Sequence, residues 1–366
     1  MVTTRRRRIA VTGGGTAGHI LSALDFLEAY RREFGAEGFF LGCAAGLESR
    51  LVPARGVRLE IVPGLPWARQ GWRGRWRAVA SLPGAIRAAR RVLRRENVDL
   101  VIGAGGYASI GACLAARTLG VPFVIHESNV DPGLANRLLS RFAALVCVGF
   151  EETARGFGRG AVVTGIPAAI PESRPAGTPH FVVLGGSEGS PVLNLEAPRL
   201  FAELHRRGVV FSVRHIVGFG DPASVECAYA AAGVEARVDR FVDDMAPVYA
   251  GATMAIAAAG ARTLAELSAA AVPSLLAPTP GAARDHQAEN ARCYGARTGA
   301  GLIPDSWDAA ALATRIQAVL GNPEELRILR QRASAWGKPQ AAAELVRACE
   351  RLIASRFSSR TQSCWA

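Results

Sequence analysis

The sequence predicts an α/β protein made of two Rossmann-like units, each a doubly wound parallel sheet, and three observations carry this. Short β-rich runs alternate with segments of helical periodicity. The alternation stops at a proline-rich stretch and then restarts. Each half opens with a strand that runs straight into a glycine loop. At 366 residues, 49% of them hydrophobic, the chain can bury two ordinary cores.

In the first half, 8–12 is an apolar strand that stops at glycines, and 20–34 follows with apolar residues at helical spacing. Runs 39–42, 59–62, 100–103, 123–126 and 145–148 read as further short strands. Most are separated by helical segments with arginine and alanine on their polar sides. Residues 167–179 hold Pro167, Pro171, Pro175 and Pro179, more than a regular element carries, and read as a connector. After it come a strand at 180–184, a glycine loop, a helix at 193–207 and strands at 211–217 and 254–257. The expected units are therefore 1–167 and 168–366, with the C-terminal helix a candidate to pack back on the first. Ligands of such sheets sit at the carboxyl ends of the strands, which predicts a cleft between the units.

Composition narrows the class. The seven cysteines are scattered, odd in number and free of C-x-x-C spacing, against a disulfide framework or a zinc site and in keeping with a reducing cytoplasm. The basic amino terminus leads into a strand and a glycine loop instead of a secretory apolar segment. No apolar run approaches the ~20 residues of a spanning helix. The net charge of +12 comes almost wholly from arginine, Lys338 being the single lysine, a bias that by itself identifies no partner. Its distribution is more telling. From Trp67 to Arg95 the chain carries Arg69, Arg73, Arg75, Arg77, Arg87, Arg90, Arg91, Arg94 and Arg95, no acid, and also Trp72 and Trp76. That stretch is expected to meet an anionic membrane surface, with a solvated helix face as the alternative. No nucleic-acid partner is expected.

The loop Thr12-Gly13-Gly14-Gly15-Thr16-Ala17-Gly18-His19 follows a strand and opens a helix, so its main-chain amides suit a phosphate. Gly13, Gly15 and Gly18 also fit G-x-G-x-x-G, but a dinucleotide site wants an acid at the end of the second strand. Here that strand ends Leu41-Gly42-Cys43, and Glu48 lies too far along. His19 directly follows the loop. An imidazole, with its ordinary titration near ~6.5, is suited there to general base catalysis; a histidine merely packing at a helix start is the alternative. A second loop, Gly103-Ala104-Gly105-Gly106-Tyr107, and then His126-Glu127-Ser128-Asn129 fall at the ends of further strands. His126 and Glu127 either shape their own loop or touch the ligand. In the second half Gly185-Gly186-Ser187-Glu188-Gly189 repeats the strand–glycine–helix plan, and Gly260-Ala261-Arg262-Thr263 leads a helix that carries Glu266. Glu266 is placed to take two ribose hydroxyls, or else is a solvated helix residue. Asp285, His286, Gln287 and Asn290 suit a sugar. Asp243-Asp244 does not form a D-x-D pair, and no metal is required.

Seven motifs in order, G-G-T-A-G-H, G-A-G-G-Y-A-S, H-E-S-N, G-G-S-E-G, F-V-D-D-M, G-A-R-T-L-A-E and D-H-Q-A-E-N-A, resemble the MurG family across nearly the whole chain. That family transfers N-acetylglucosamine from UDP onto undecaprenyl-diphospho-muramoyl-pentapeptide at the cytoplasmic membrane face. The resemblance implies the GT-B fold, inversion at the anomeric carbon, and neither metal nor cofactor. It implies His19 as the catalytic residue, with Gly15, Thr16, Gly18, Gly105, Gly106, Tyr107, Glu127, Asn129 and Asn136 serving a lipid-diphosphate acceptor. On the donor side it implies Gly186, Ser187, Gly260, Ala261 and Arg262, with Phe241 and Val242 on uracil, Thr263 near the phosphates and Glu266 on ribose. His286, Gln287 and Asn290 would face the sugar.

The chain also departs from the pattern of the family. Ala17, Ser128, Ile166, Ala169, Glu188 and the pair Ala258-Ala259 stand where that family usually has Gly, Gln, Asn, Arg, Gln and Arg-Ser. Two cations of the donor half are thus missing and one anion is added. A specialised relative acting on another lipid phosphate, for example in phosphoglycolipid antibiotic assembly, is the alternative within the class. Outside it stand a nicotinamide-dependent oxidoreductase and an inactive lipid-diphosphate-binding protein. A titration with NAD(H) and UDP, and an assay of UDP release, would discriminate them.

Overall fold

The computed structural model describes residues 5–44, 46–63, 72–158, 160–278, 286–302 and 307–363, with side chains for all but 72–78, 302 and 356–363. The chain forms two units, one of residues 1–167 with 340–366 and the other of residues 168–339.

The first unit begins β1 (Arg8–Thr12), α1 (Ala17–Phe34), β2 (Glu37–Gly42), α2 (Glu48–Ala54), β3 (Leu59–Ile61) and α3 (Trp72–Arg95). It continues β4 (Leu100–Gly103), α4 (Tyr107–Thr118), β5 (Phe123–Glu127), α5 (Leu134–Leu139), β6 (Leu145–Val148), α6 (Glu151–Gly156) and β7 (Ala161–Val163). All neighbouring strands are parallel, in the order β3-β2-β1-β4-β5-β6-β7. Ile9, Ala10 and Val11 are fully buried, the signature of a strand covered on both faces. Thr12 is in register with Leu41 on one side and Gly103 on the other, so three loops leave the sheet at one level.

The second unit runs β8 (His180–Leu184), α7 (Pro191–Arg206), β9 (Ser212–Ile216), α8 (Pro222–Ala231), β10 (Ala236–Asp239) and α9 (Ala246–Tyr249). There follow β11 (Met254–Ala257), α10 (Ala261–Ala269), β12 (Ser274–Leu276), α11 (His286–Thr298), β13 (Gly301–Leu302), α12 (Ala309–Leu320) and α13 (Pro323–Trp336). Its strands are also parallel, in the order β10-β9-β8-β11-β12-β13. Phe181, Phe201, Tyr229 and Ile256 anchor its core.

The last helix, α14 (Ala341–Ser363), belongs to the first unit, so the expected extent 168–366 for the second is too long at its end. Leu345, Val346 and Cys349 are buried there, and Arg347 grips Glu33 of α1 at 2.8 Å. The proline-rich connector has no regular structure, yet it is not a free tether. Ser173 and Arg174 donate their main-chain N–H groups to Ala270 and Ala250 at 2.8 and 2.9 Å, strapping it to the second unit. Cys43, Cys113, Cys147, Cys227, Cys293 and Cys349 are all free thiols.

Candidate functional site

In the first unit the strand order reverses between β1 and β4, and the loops that leave these strands interlock. The Ala104 N–H donates to the Thr12 carbonyl at 2.8 Å, and the Gly14 N–H to the Gly105 carbonyl at 3.2 Å. Gly106, at φ +80°, lies so close to the Gly14 carbonyl that no side chain fits between them. Gly15, at φ +88°, is exposed at the tip. Thr16 caps α1, its hydroxyl oxygen accepting from the His19 N–H. The result is a main-chain cradle at a helix amino terminus, the arrangement that receives anions.

The His19 ring is held by one nitrogen. Its Nδ1 lies 3.0 Å from the Gly14 carbonyl oxygen and 3.2 Å from Thr16 Oγ1. A carbonyl can only accept, so Nδ1 carries the proton and Nε2 presents a lone pair. Gly105 leaves the room in front of it: a Cβ there would stand 3.2 Å from Nε2 and 3.4 Å from Asn136 Nδ2. Loop and imidazole are thus a single construction.

The segment after β5 is organised by Glu127. One carboxylate oxygen accepts from the Asn129 N–H at 2.9 Å and Asn129 Nδ2 at 3.1 Å; the other accepts from the Gly133 N–H and Asn136 Nδ2, both at 2.9 Å. This carboxylate is spent on its own loop. Asn136 Nδ2 also donates to the His126 carbonyl, while its buried Oδ1 has no hydrogen-bond partner among the described residues. His126 ties β5 to the Gly165 carbonyl at 2.8 Å, and burial pushes its pKa down to about 4, so it is a neutral structural residue.

In the second unit the reversal falls between β8 and β11. Gly186 and Gly189 adopt φ +78° and +80°, and Ser190 caps α7. After β11, Gly260 precedes α10, where Arg262 Nε donates to Glu266 Oε1 at 2.9 Å and the Tyr249 hydroxyl donates to Oε2 at 3.2 Å. The carboxylate is 7% exposed, so it is a buried, doubly held acceptor and not a solvated helix residue. Burial and this neighbouring negative charge push the Tyr249 phenol far above its usual range. Asn290 is fully buried and donates to the Ala259 carbonyl at 3.1 Å, steadying the loop before α10. Thr263, Ser187, Phe241, Val242, His286 and Gln287 are half-buried at strand ends or helix starts of the same unit.

Asp285, Trp67 and Arg69 lie outside the described residues, as do the side chains of Trp72, Arg73, Arg75, Trp76 and Arg77. On α3, Arg87, Arg91, Arg94 and Arg95 are exposed and Arg90 is half-buried. Arg95 is engaged by Glu60 at 2.8 Å and Glu96 at 3.1 Å. Two residues escaped the sequence reading. Tyr249 has no linear signal linking it to Glu266. Glu48 was set aside by distance along the chain, yet its carboxyl packs under Gly14.

Residues 9–148 match the N-terminal domain of glycosyltransferase family 28, and residues 180–345 match the C-terminal domain of that family. The UDP-N-acetylglucosamine–N-acetylmuramyl-(pentapeptide) pyrophosphoryl-undecaprenol N-acetylglucosamine transferase of Methylococcus capsulatus is 37% identical over 350 residues, covering 94% of this chain and 98% of that protein. The transferase of the same name from Syntrophotalea carbinolica is 37% identical over 355 residues, with 93% and 98% covered. Among solved structures, Acinetobacter baumannii MurG superimposes with a TM-score of 0.75 at 27% identity, covering 94% of this chain and 99% of that one. The UDP-N-acetylglucosamine 2-epimerase of Neisseria meningitidis, at 12% identity and a TM-score of 0.68, shares the fold alone. With both domains matched, one in each Rossmann-like unit, and with relatives of this identity over nearly its whole length, the chain belongs to glycosyltransferase family 28, in its MurG branch.

Proposed function

We propose that this chain moves N-acetylglucosamine from a UDP donor to a polyprenyl-diphosphate-linked acceptor, with inversion, at the cytoplasmic face of the membrane. The observation that carries the reading is the His19 ring, its Nδ1 fixed on the Gly14 carbonyl and its Nε2 open beside Gly105. In that reading Nε2 takes the proton of the acceptor hydroxyl as its oxygen attacks the anomeric carbon. The bond from that carbon to the diphosphate breaks on the opposite face, and UDP leaves with the electron pair. The imidazolium so formed keeps its Nδ1 hydrogen bond.

The first glycine loop receives the acceptor diphosphate. In the second unit the amino termini of α7 and α10 face the donor diphosphate. Glu266, held by Arg262 and Tyr249, takes the ribose hydroxyls, and Phe241 with Val242 takes the uracil. No helix among the described residues is long and apolar enough to cross a membrane. In this proposal the arginine-rich α3 holds the enzyme to anionic lipid. Replacing Arg87, Arg90, Arg91 and Arg94 by glutamine would then release it from anionic vesicles while sparing activity on a soluble acceptor analogue.

The reading is tested by UDP release over a panel of UDP-sugars and lipid acceptors. Release that requires both UDP-N-acetylglucosamine and the muramoyl-pentapeptide lipid is expected. No release with any lipid diphosphate would sink it. A second reading, a relative that prefers another lipid phosphate, is favoured by the exposed Glu188 in the β8–α7 loop, and the same panel separates the two.

A further inference from the structure

Beneath the first glycine loop lies an acid that the reaction above does not use. Glu48 opens α2, and its side chain turns back under the loop: the residue is fully buried, and a Cβ on Gly14 would lie 2.5 Å from Oε1. A Cβ on Gly42, at the end of β2, would lie 3.2 Å from its Cγ. Neither carboxyl oxygen has a hydrogen-bond partner among the described residues. In a dinucleotide-binding unit an acid near this strand end reaches the ribose. This one has no surface with which to do so.

The surroundings are uncharged. Cys43, just past β2, and Tyr107, at the start of α4, both feel the carboxyl. Burial pushes the Cys43 thiol up to about 11 and the Tyr107 phenol far above its usual range, and a charge on Glu48 would add to each shift. His19 stands across Gly14, bonded to its carbonyl. An ionised carboxylate here would be desolvated with no partner to offset the cost. Burial accordingly raises the Glu48 pKa.

We infer that Glu48 is a positioning residue of the phosphate seat: as a neutral acid under Gly14 it leaves the first glycine loop receptive to the acceptor diphosphate, and its ionisation closes that seat. The inference rests on the reading that this loop holds the diphosphate. A carboxylate in contact with Gly14 would stand within roughly 4–6 Å of a phosphate on the loop amides. Repulsion at that range weakens binding on the order of 10²-fold at the effective dielectric of protein sites. By linkage, a bound phosphate must favour the protonated acid, so binding takes up a proton and affinity falls as pH rises.

The test is calorimetry of a short-chain polyprenyl diphosphate with the full chain from about pH 5 to about pH 9, comparing wild type with Glu48→Gln. Wild-type affinity should fall on the order of 10²-fold toward the alkaline end. Its binding heat should depend on the buffer, as proton uptake requires. Glu48→Gln should lose less of its low-pH affinity and show the smaller buffer dependence. Any contribution of His19 is common to both proteins and cancels in the comparison.

Melting of the empty proteins is a second readout. An acid whose pKa is raised on folding contributes stability that is present below the ordinary carboxyl range, near ~4.3 for glutamate, and is lost as pH rises toward the folded value. Wild type should therefore fall behind Glu48→Gln as the pH rises from there. Parallel binding profiles for the two proteins would overturn the inference. Gly15→Val, checked for folding by its melt, separates the two layers of argument. If it binds the diphosphate normally, the loop is not the seat and both claims fall. If it does not bind while wild type and Glu48→Gln stay parallel, only the role of Glu48 falls.

Discussion

At the reversal point of its sheet the first unit presents main-chain amides, a half-buried imidazole and, beneath them, a carboxyl with no hydrogen-bond partner among the described residues. At the equivalent point the second unit presents a pair of opposite charges, Arg262 and Glu266, closed by the Tyr249 hydroxyl. The same parallel plan thus supports two different kinds of seat. The first is assembled from close backbone approaches, where Gly106 against the Gly14 carbonyl excludes any Cβ, so its geometry depends on what is missing from the side chains. The second is assembled from side chains that restrain one another before any ligand arrives. In the proposed function His19 is a base that changes protonation during turnover, which its open Nε2 suits, and Glu266 is a hydroxyl acceptor that Arg262 and Tyr249 hold in place.

The largest expected effect breaks the first seat without touching the second. His19→Ala should lower turnover on the order of 10²-fold or more, the usual worth of a general base. UDP affinity should be unchanged, because the proposed donor residues lie in the other unit. An alanine variant with near-normal turnover would remove His19 from the mechanism and leave the loop as a bare anion site.

The converse experiment breaks the second seat. Glu266→Ala should weaken UDP binding by about 1.5–3 kcal/mol, the range of charge-assisted hydrogen bonds, and should also lower the melting temperature by leaving Arg262 without its carboxylate. Tyr249→Phe sharpens the point: it keeps the carboxylate and removes one of its donors, so UDP affinity should fall by less. Calorimetry that finds Glu266→Ala unchanged toward UDP would make the Arg262–Glu266 pair purely structural.

How much of this could be read from the residues alone follows from what each feature depends on. β1, β4, β6, β8 and β11 are continuous apolar runs ending in glycine, a polar residue or a run of alanines, and their limits were legible. β7, β10, β12 and β13 are two to four residues long, and β10 carries Arg237 and Asp239; such runs have no period to detect. His19 was legible as a candidate because it abuts the loop, but which nitrogen is open depends on a carbonyl that only the folded loop brings near. Glu127 was legible only as a residue that either shapes its loop or meets the ligand, because its four internal donors lie up to nine residues away and come together only in the turn before α5 and its first residues. Glu48 failed on linear spacing, since the first residue of α2 lies back against the end of β2. The C-terminal helix was a candidate to return to the first unit, and α14 does so.

The smallest expected effect tests whether charge at the mouth of the second seat has been adjusted. Glu188 is exposed in the loop between β8 and α7, just ahead of the helix amino terminus that the proposal assigns to the donor diphosphate. A carboxylate there has two opposed consequences. It interacts favourably with the positive end of α7 in the empty protein, and it repels the diphosphate that would occupy the same field. Glu188→Gln should therefore lower the stability of the empty protein slightly and strengthen UDP binding by roughly two- to five-fold, the scale of exposed charge interactions. Both changes should shrink as salt is raised, because the screening length falls to about 8 Å at physiological ionic strength and lower still beyond it. Calorimetry of UDP at low and high salt reads the binding effect, and melting of the empty protein at the same salts reads the stability effect. If the affinity does not rise at low salt, Glu188 points away from the donor, and the second unit binds its ligand with the charge it already has in Arg262 and Glu266.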